Sequence, residues 1–217
     1  YAPGDAAVQT VLTGQVNLIM SQAGLPVQFW DGPGGPGDGA IGGGTAVWDN
    51  AAANWTNSTG TINQAWLSGM AIFGGTAGTV SLGESVSARA LQFTTDGYVV
   101  TGGASTHSLT LLGMPSGADS IVRVDSGVTA TIAANLTGAT GLNKMDPGTL
   151  ILTGLNTYTG PTMVSAGTLR VDGSVSGAAD VASGAFLTGS GSIGGNVRVN
   201  SGATIAPTPT IRSASGA

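Results

Sequence analysis

Apolar residues along this chain come in short alternating runs. Between Gly148 and Gly154, Leu150 and Leu152 fall on one side while Thr149, Ile151 and Thr153 fall on the other; Leu169 and Val171 repeat the pattern against Thr168, Arg170 and Asp172. A period of two is that of a strand with one packed face and one wet face. Runs rich in Val, Ile, Leu and Thr recur between Gly, Asn, Asp and Ser turns, and no convincing helical period interrupts them. The pattern predicts strands throughout, with Leu150, Leu152, Leu169 and Val171 pointing inward.

The spacing of the runs carries more than their content. Strands that open on Gly127, Gly148, Gly167, Gly184 and Gly202 follow one another at near-equal intervals, and the earlier pair Gly78 and Gly97 is spaced alike. A repeat of about 20 residues is the mark of a solenoid in which each coil is one supersecondary unit. The coil content is strand, which predicts an all-β β-solenoid. Equivalent positions in stacked coils lie about 4.8 Å apart, so inward Val and Leu side chains meet their counterparts above and below. About ten coils would make a rod about 50 Å long. The Gly- and Pro-dense stretch 32–44 reads as a loop. The expected division is an N-terminal segment with that loop over 1–47, acting as a cap, the β-helix repeats over 48–207, and an irregular tail over 208–217.

Composition narrows the function classes. Glycine is 38 of 217 residues and charged residues are 8%, with a formal net charge of -5 and a pI near 4.4, so binding to nucleic-acid phosphates is not expected. With no cysteine, thiolate metal sites, disulfides and Cys nucleophiles drop out together. No Met with a basic flank precedes the uncharged stretch 6–30, so a signal peptide reads as absent or already removed, and the chain reads as a fragment. Gln9, Thr10, Gln15, Asn17, Ser21, Gln22 and Pro26 argue against a transmembrane helix there.

The string GTLILTGLNTYTGPTMVSAGTLRV, Gly148 to Val171, resembles the passenger-associated repeat of autotransporter proteins, with Asn156, Thr157, Tyr158, Thr159 and Gly160 at its centre. The stretches FWDG (29–32), WDNAAANWTN (48–57), LQFTTDGYVVTGG (91–103) and GSGSIGGNVRVNSGATIAP (189–207) are similar to such passengers, so the resemblance covers about residues 29 to 207. It implies a right-handed parallel β-helix displayed at the surface of a Gram-negative cell and held there by a C-terminal outer-membrane barrel. It further implies a non-catalytic role in adhesion, aggregation or display. Host-cell or matrix surfaces, glycans or further copies of the chain would be its partners. The alternatives are a polysaccharide-acting enzyme on the same scaffold and a purely structural stalk. After Pro207 the sequence TPTIRSASGA departs from the usual continuation of the family.

Candidate catalytic chemistry is sparse. His107, between Ser105 and Ser108, is the only histidine, and no nucleophile elbow surrounds any serine, so no catalytic set is assigned. Two G-x-G-x-x-G strings, at Gly32-Gly34-Gly37 and Gly189-Gly191-Gly194, open no helix and read as turns; no cofactor or metal is assigned. Arg123, Arg170 and Arg198 share a repeat position in V-R-V, L-R-V and V-R-V, each followed two residues on by Asp125, Asp172 or Asn200, which reads as one exposed sheet. Aromatic residues crowd the first half. Either they cover an open end of the stack, or Trp30, Trp48, Trp55 and Trp66 form a ligand-contact patch, since indole faces stack on sugars and anchor interfaces.

Overall fold

The computed structural model describes residues 6–9, 17–20, 25–33, 37–103, 107–207 and 212–213. One coil shows how the alternation is used. Leu142–Met145, Thr149–Leu152 and Leu155–Asn156 run in turn along three faces before the chain rises to the next coil at Thr162–Val164. Each strand pairs in parallel with the strand one coil away, for example Thr149 with Thr129 on one side and Thr168 on the other. The β-solenoid expected from the repeat is the observed architecture.

Two long sheets and a third, thinner face result. The first sheet stacks Val27–Trp30, Met70–Phe73, Ala90–Phe93, Ser120–Val124, Leu142–Met145, Thr162–Val164, Ala179–Val181 and Val197–Val199. The second runs from Ala46–Trp48 and Thr79–Leu82 to Phe186–Gly189 and Thr204–Pro207, all in parallel. Eight coils are therefore stacked among the described residues, fewer than the ten expected. Two steps are much longer than the rest, from Ala46 to its partner Val80 and from Val99 to its partner Thr131, because an antiparallel hairpin and an extra loop are spent there instead of new coils. Elsewhere the second-sheet steps, from Thr129 to Thr149, Thr168, Phe186 and Thr204, keep the near-even spacing of the sequence repeat.

The predicted register holds. Leu150, Leu152 and Leu169 are fully buried and Val171 is 1% exposed. They belong to two inward files, one of Ala130, Leu150, Leu169 and Leu187, the other of Val80, Val100, Ile132, Leu152 and Val171. Removing each large side chain in these files from water contributes about 1.5–3 kcal/mol. Corners are closed by glycine where backbone meets backbone. Gly189 has φ +121°, and a Cβ there would lie 2.0 Å from the Val171 carbonyl oxygen, so the G-x-G-x-x-G string at Gly189 marks a corner.

At one end of the first sheet the parallel stacking stops. Trp55–Thr56 pairs antiparallel with Val27–Trp30, and Asn63–Gln64 pairs antiparallel with Trp55–Thr56. The connecting turn is held by the Asn57 side chain, whose Oδ1 accepts from the Thr61 amide at 2.9 Å, with Gly60 at φ +70°. Of the tail expected over 208–217, only Arg212–Ser213 is described, and it pairs in parallel with Ser192–Ile193.

Candidate binding surfaces and the buried aromatic end

The hairpin and the first coils converge on one another through their aromatic side chains. Trp55 packs against Trp30 at 5.1 Å, Trp48 at 5.0 Å and Trp66 at 4.4 Å between ring centroids, and Phe73 stacks on Phe93 at 4.8 Å. Trp30, Trp48 and Trp55 have no exposed surface and Trp66 is 4% exposed. A ring that binds a ligand must present a face or an edge to it, and these faces are taken by other rings. The ligand-contact reading of Trp30, Trp48, Trp55 and Trp66 is thereby corrected: they are the inner lining of the capped end. Trp30 Nε1 donates to the Gly44 carbonyl and Trp66 Nε1 to that of Ser87, whereas Trp48 and Trp55 keep indole N–H groups without an acceptor among the described residues. Each orphan costs about 1–3 kcal/mol, which the burial of the large rings must outweigh.

His107 forms no ion pair with an acid among the described residues. Its Nδ1 hydrogen-bonds with the Leu82 carbonyl at 3.0 Å, and the two acids nearest in sequence are occupied by backbone: Asp96 accepts from the Thr129 amide and Asp119 from the Gly141 amide. Ser105 lies outside the described residues. Among the described residues no group of three or more His, Cys, Asp and Glu is placed to hold a metal ion.

The three arginines do not share a sheet, contrary to the sequence expectation. Arg123 and Arg198 lie on the first sheet and Arg170 on the second. Arg123 pairs with Asp146 of the next coil through Nε at 2.7 Å and Nη2 at 3.3 Å, Arg170 with Asp172 at 2.7 Å, and Arg198 with Asp180 at 3.6 Å. An identical local string can therefore occupy either of two strands of a coil and lie on either sheet.

The stretch around the repeat motif shows what its polar residues do. Asn156 is fully buried; its Oδ1 accepts from the Leu136 amide, and its Nδ2 donates to the carbonyls of Gly154 and Ser174. It thus joins the three-stranded sheet Val86–Ala88, Ser108–Leu111 and Asn135–Thr137 to the set beginning Leu155–Asn156, bridging the gap along the third face. The Tyr158 hydroxyl hydrogen-bonds with Thr162 Oγ1, and burial pushes the phenol up to about 12. Lys144 sits in an inward file between Val122 and Val164, fully buried, where every sheet neighbour is apolar. Its ammonium reaches the corner and donates to the carbonyls of Met145, Asp146 and Ala166 at 2.9, 2.7 and 3.1 Å. Burial lowers it from its ordinary 10.5 to about 8, against the pull of the Asp146 carboxylate. No motif marked Lys144; the one signal was a lysine at an inward position of the alternation.

Outside, two grooves adjoin at Arg123, one at the corner that follows the first-sheet strands and one on the face of that sheet. The first, of about 390 Å³, is mixed, with Val128 and Pro147 beside the polar side chains of Thr94, Arg123, Asp125, Ser126 and Asp146. The other, of about 240 Å³, is lined chiefly by Leu25, Met70, Met114, Ile121 and Met145, with Arg123 again in its wall. Asp125 is half-buried and its carboxyl is pushed upward, mainly by that burial, while Gln92 Nε2 donates to its Oδ1 at 3.0 Å.

Eight stacked coils with aliphatic files inside and glycine corners define the class as a parallel β-solenoid of repeated coils. The passenger-associated-transport-repeat family model matches residues 142–171, the stretch that holds Lys144, Asn156 and Tyr158. The adhesin BmaC autotransporter of Brucella suis biovar 1 (strain 1330) is 41% identical over 181 residues, covering 77% of this chain and 5% of that protein. The extracellular serine protease of Serratia marcescens is 40% identical over 73 residues, covering 34% of this chain and 7% of that protein. The chain thus spans only 5% and 7% of these two relatives' lengths. No solved structure matches it. Residues 142–171 thus carry a passenger-associated transport repeat, and most of the chain is similar to a part of an adhesin autotransporter.

Proposed function

We propose that the chain is a non-catalytic extracellular element serving adhesion, self-association or display, carried on the surface by an outer-membrane barrel elsewhere in the whole protein. The observation that carries this reading is the 41% identity with an adhesin over 77% of the chain. The division of labour supports it. Inward positions are spent on packing, while the outward positions Thr129, Thr149 and Thr168 form a polar file on the second sheet, which the exposed Phe186 interrupts before Thr204. In this reading the hairpin and tryptophans close the stack, and the coils that follow supply the display surface.

Host-cell surfaces, matrix proteins, glycans and further copies of the chain are the partners to test. The purified chain is incubated with whole cells, matrix proteins and a glycan array, and its self-association is followed by sedimentation. Retention in at least one arm is expected. Inertness in all of them would leave only a structural stalk, and reducing sugar released from a polysaccharide panel would overturn the non-catalytic reading.

A further inference from the structure

The groove on the outer face of the first sheet and the groove at the corner that follows its strands share one wall residue, Arg123, and differ in character on its two sides. We propose that together they form a binding site for a neutral amphiphile of the glycolipid type, its apolar tail lying along the methionine groove and its hydroxylated head in the corner groove.

The tail side is built from soft, adaptable surface. Four of the five methionines of the chain lie on this face: Met70, Met145 and Met163 at outward positions of the sheet, and Met114 on the loop that follows the third-face strand Ser108–Leu111. Unbranched thioether side chains shape themselves to an apolar chain with little strain. Leu25 and Met70 form the buried floor, and Met114, Ile121 and Met145 are half-buried walls. The Met114 wall is already in place. Its amide donates to the Ala118 carbonyl at 2.8 Å, the neighbouring Gly113 amide donates to Ser120 Oγ at 2.9 Å, and Arg89 Nη1 donates to the Gly113 carbonyl at 2.8 Å.

The head side is charge-balanced. Asp125 and Asp146 contribute two carboxylates; Arg123 contributes one cation, and the Lys144 ammonium lies beneath the groove on the Asp146 carbonyl. With no net charge to recruit an ion, recognition falls to hydrogen bonds. Arg123 spends Nε and Nη2 on Asp146, which leaves Nη1 as a donor, and Asp125 receives only the Gln92 amide on Oδ1, which leaves Oδ2 as an acceptor. A donor, an acceptor carboxylate and the hydroxyl of Ser126 suit adjacent sugar hydroxyls, each of which donates and accepts.

The proposal rests on the surface-display reading only in that such a ligand must be met outside the cell. Binding by the isolated chain succeeds or fails whether or not the chain adheres to cells. The test is a titration of protein labelled with ¹³C-methyl methionine with octyl glucoside below its micelle concentration. The methyl signals of Met70, Met114 and Met145 are expected to shift saturably, while Met163, 40% exposed and outside the groove, stays put. Equal movement of Met163 means indiscriminate detergent adsorption and overturns the proposal. Octanoate and octylammonium are expected to bind at least about tenfold more weakly than the glucoside, because in a charge-balanced groove a charged head loses its water to meet a like charge as closely as an opposite one. Equal affinities would remove the head site. Asp125→Asn should weaken octyl glucoside about tenfold through loss of a charged acceptor, and Ile121→Gln should weaken it by blocking the tail. Should either variant unfold, the comparison of the three probes on the native chain decides alone.

Discussion

Raising the pH from 7 to 9.5 should stabilise this protein, and Lys144→Met should abolish the gain. Lys144 is charged in an unfolded chain up to about its ordinary 10.5, but inside the solenoid burial lowers it to about 8. Below pH 8 both states hold the proton and the folded state bears the full cost of a buried ammonium. Between 8 and 10.5 the folded state releases its proton while the unfolded state keeps it, so the unfolded chain binds more protons and stability rises with pH. The whole displacement corresponds to about 3 kcal/mol, of which about 2 kcal/mol should appear between pH 7 and 9.5. Tyrosine works the other way. Burial raises Tyr98 and Tyr158, so the unfolded state ionises first above pH 10 and stability falls there; at pH 9.5 this takes back only a few tenths of a kcal/mol. Urea unfolding at several pH values should show the rise in the native chain and a flat profile in Lys144→Met. A flat native profile, or the same slope in the variant, would refute the argument that burial outweighs the three carbonyls. Because Lys144 is the only lysine, acylation by an amine-directed reagent, read by mass spectrometry, reports opening of this coil.

Other substitutions test the register, the third face and the aromatic end. Leu152→Asp places an unpaired carboxylate in the inward file and should cost several kcal/mol, whereas Thr153→Asp on the exposed side should cost under about 1 kcal/mol; similar losses in thermal unfolding would overturn the assigned facing. Asn156→Ala strips partners from the Leu136 amide and the Gly154 and Ser174 carbonyls, and a loss of about 2–4 kcal/mol is expected in denaturant titrations, while a neutral result would mean that water substitutes for the amide. Trp55→Ala removes a ring in contact with Trp30, Trp48, Trp66 and Phe73, with an expected loss of about 3–5 kcal/mol. In the native chain, acrylamide should quench the tryptophan fluorescence poorly; efficient quenching would contradict the burial of all four indoles.

The corrections made by the structure share a cause. The hairpin over residues 55–64 was not legible in the sequence, where 48–207 reads as one run of repeats; its antiparallel pairing reverses a repeat that is otherwise parallel. The tryptophans were visible as a cluster in sequence. Whether their faces met one another or a ligand depended on where that hairpin folded back. The arginines shared a string but not a sheet, because the same kind of three-residue string occurs in the first-sheet strands Ser120–Val124 and Val197–Val199 and in the second-sheet strand Thr168–Val171, and a local string does not say which strand of its coil it occupies.

By itself the sequence determined that the chain is a stack of strand-built coils and which side chains of the repeat point inward. Both follow from local rules: a side-chain period of two, and glycine at corners where a Cβ would meet a carbonyl. Only the tertiary structure decided what each face meets. It put a lysine inside the stack, because four methylenes can run through an apolar file and deliver the ammonium to three corner carbonyls. It also brought Leu25, Met114 and Met145, far apart in sequence, around one groove beside Arg123. Such neighbours are set by how coils of unequal length are superposed, and that length is absorbed in corners and loops whose residues carry no period.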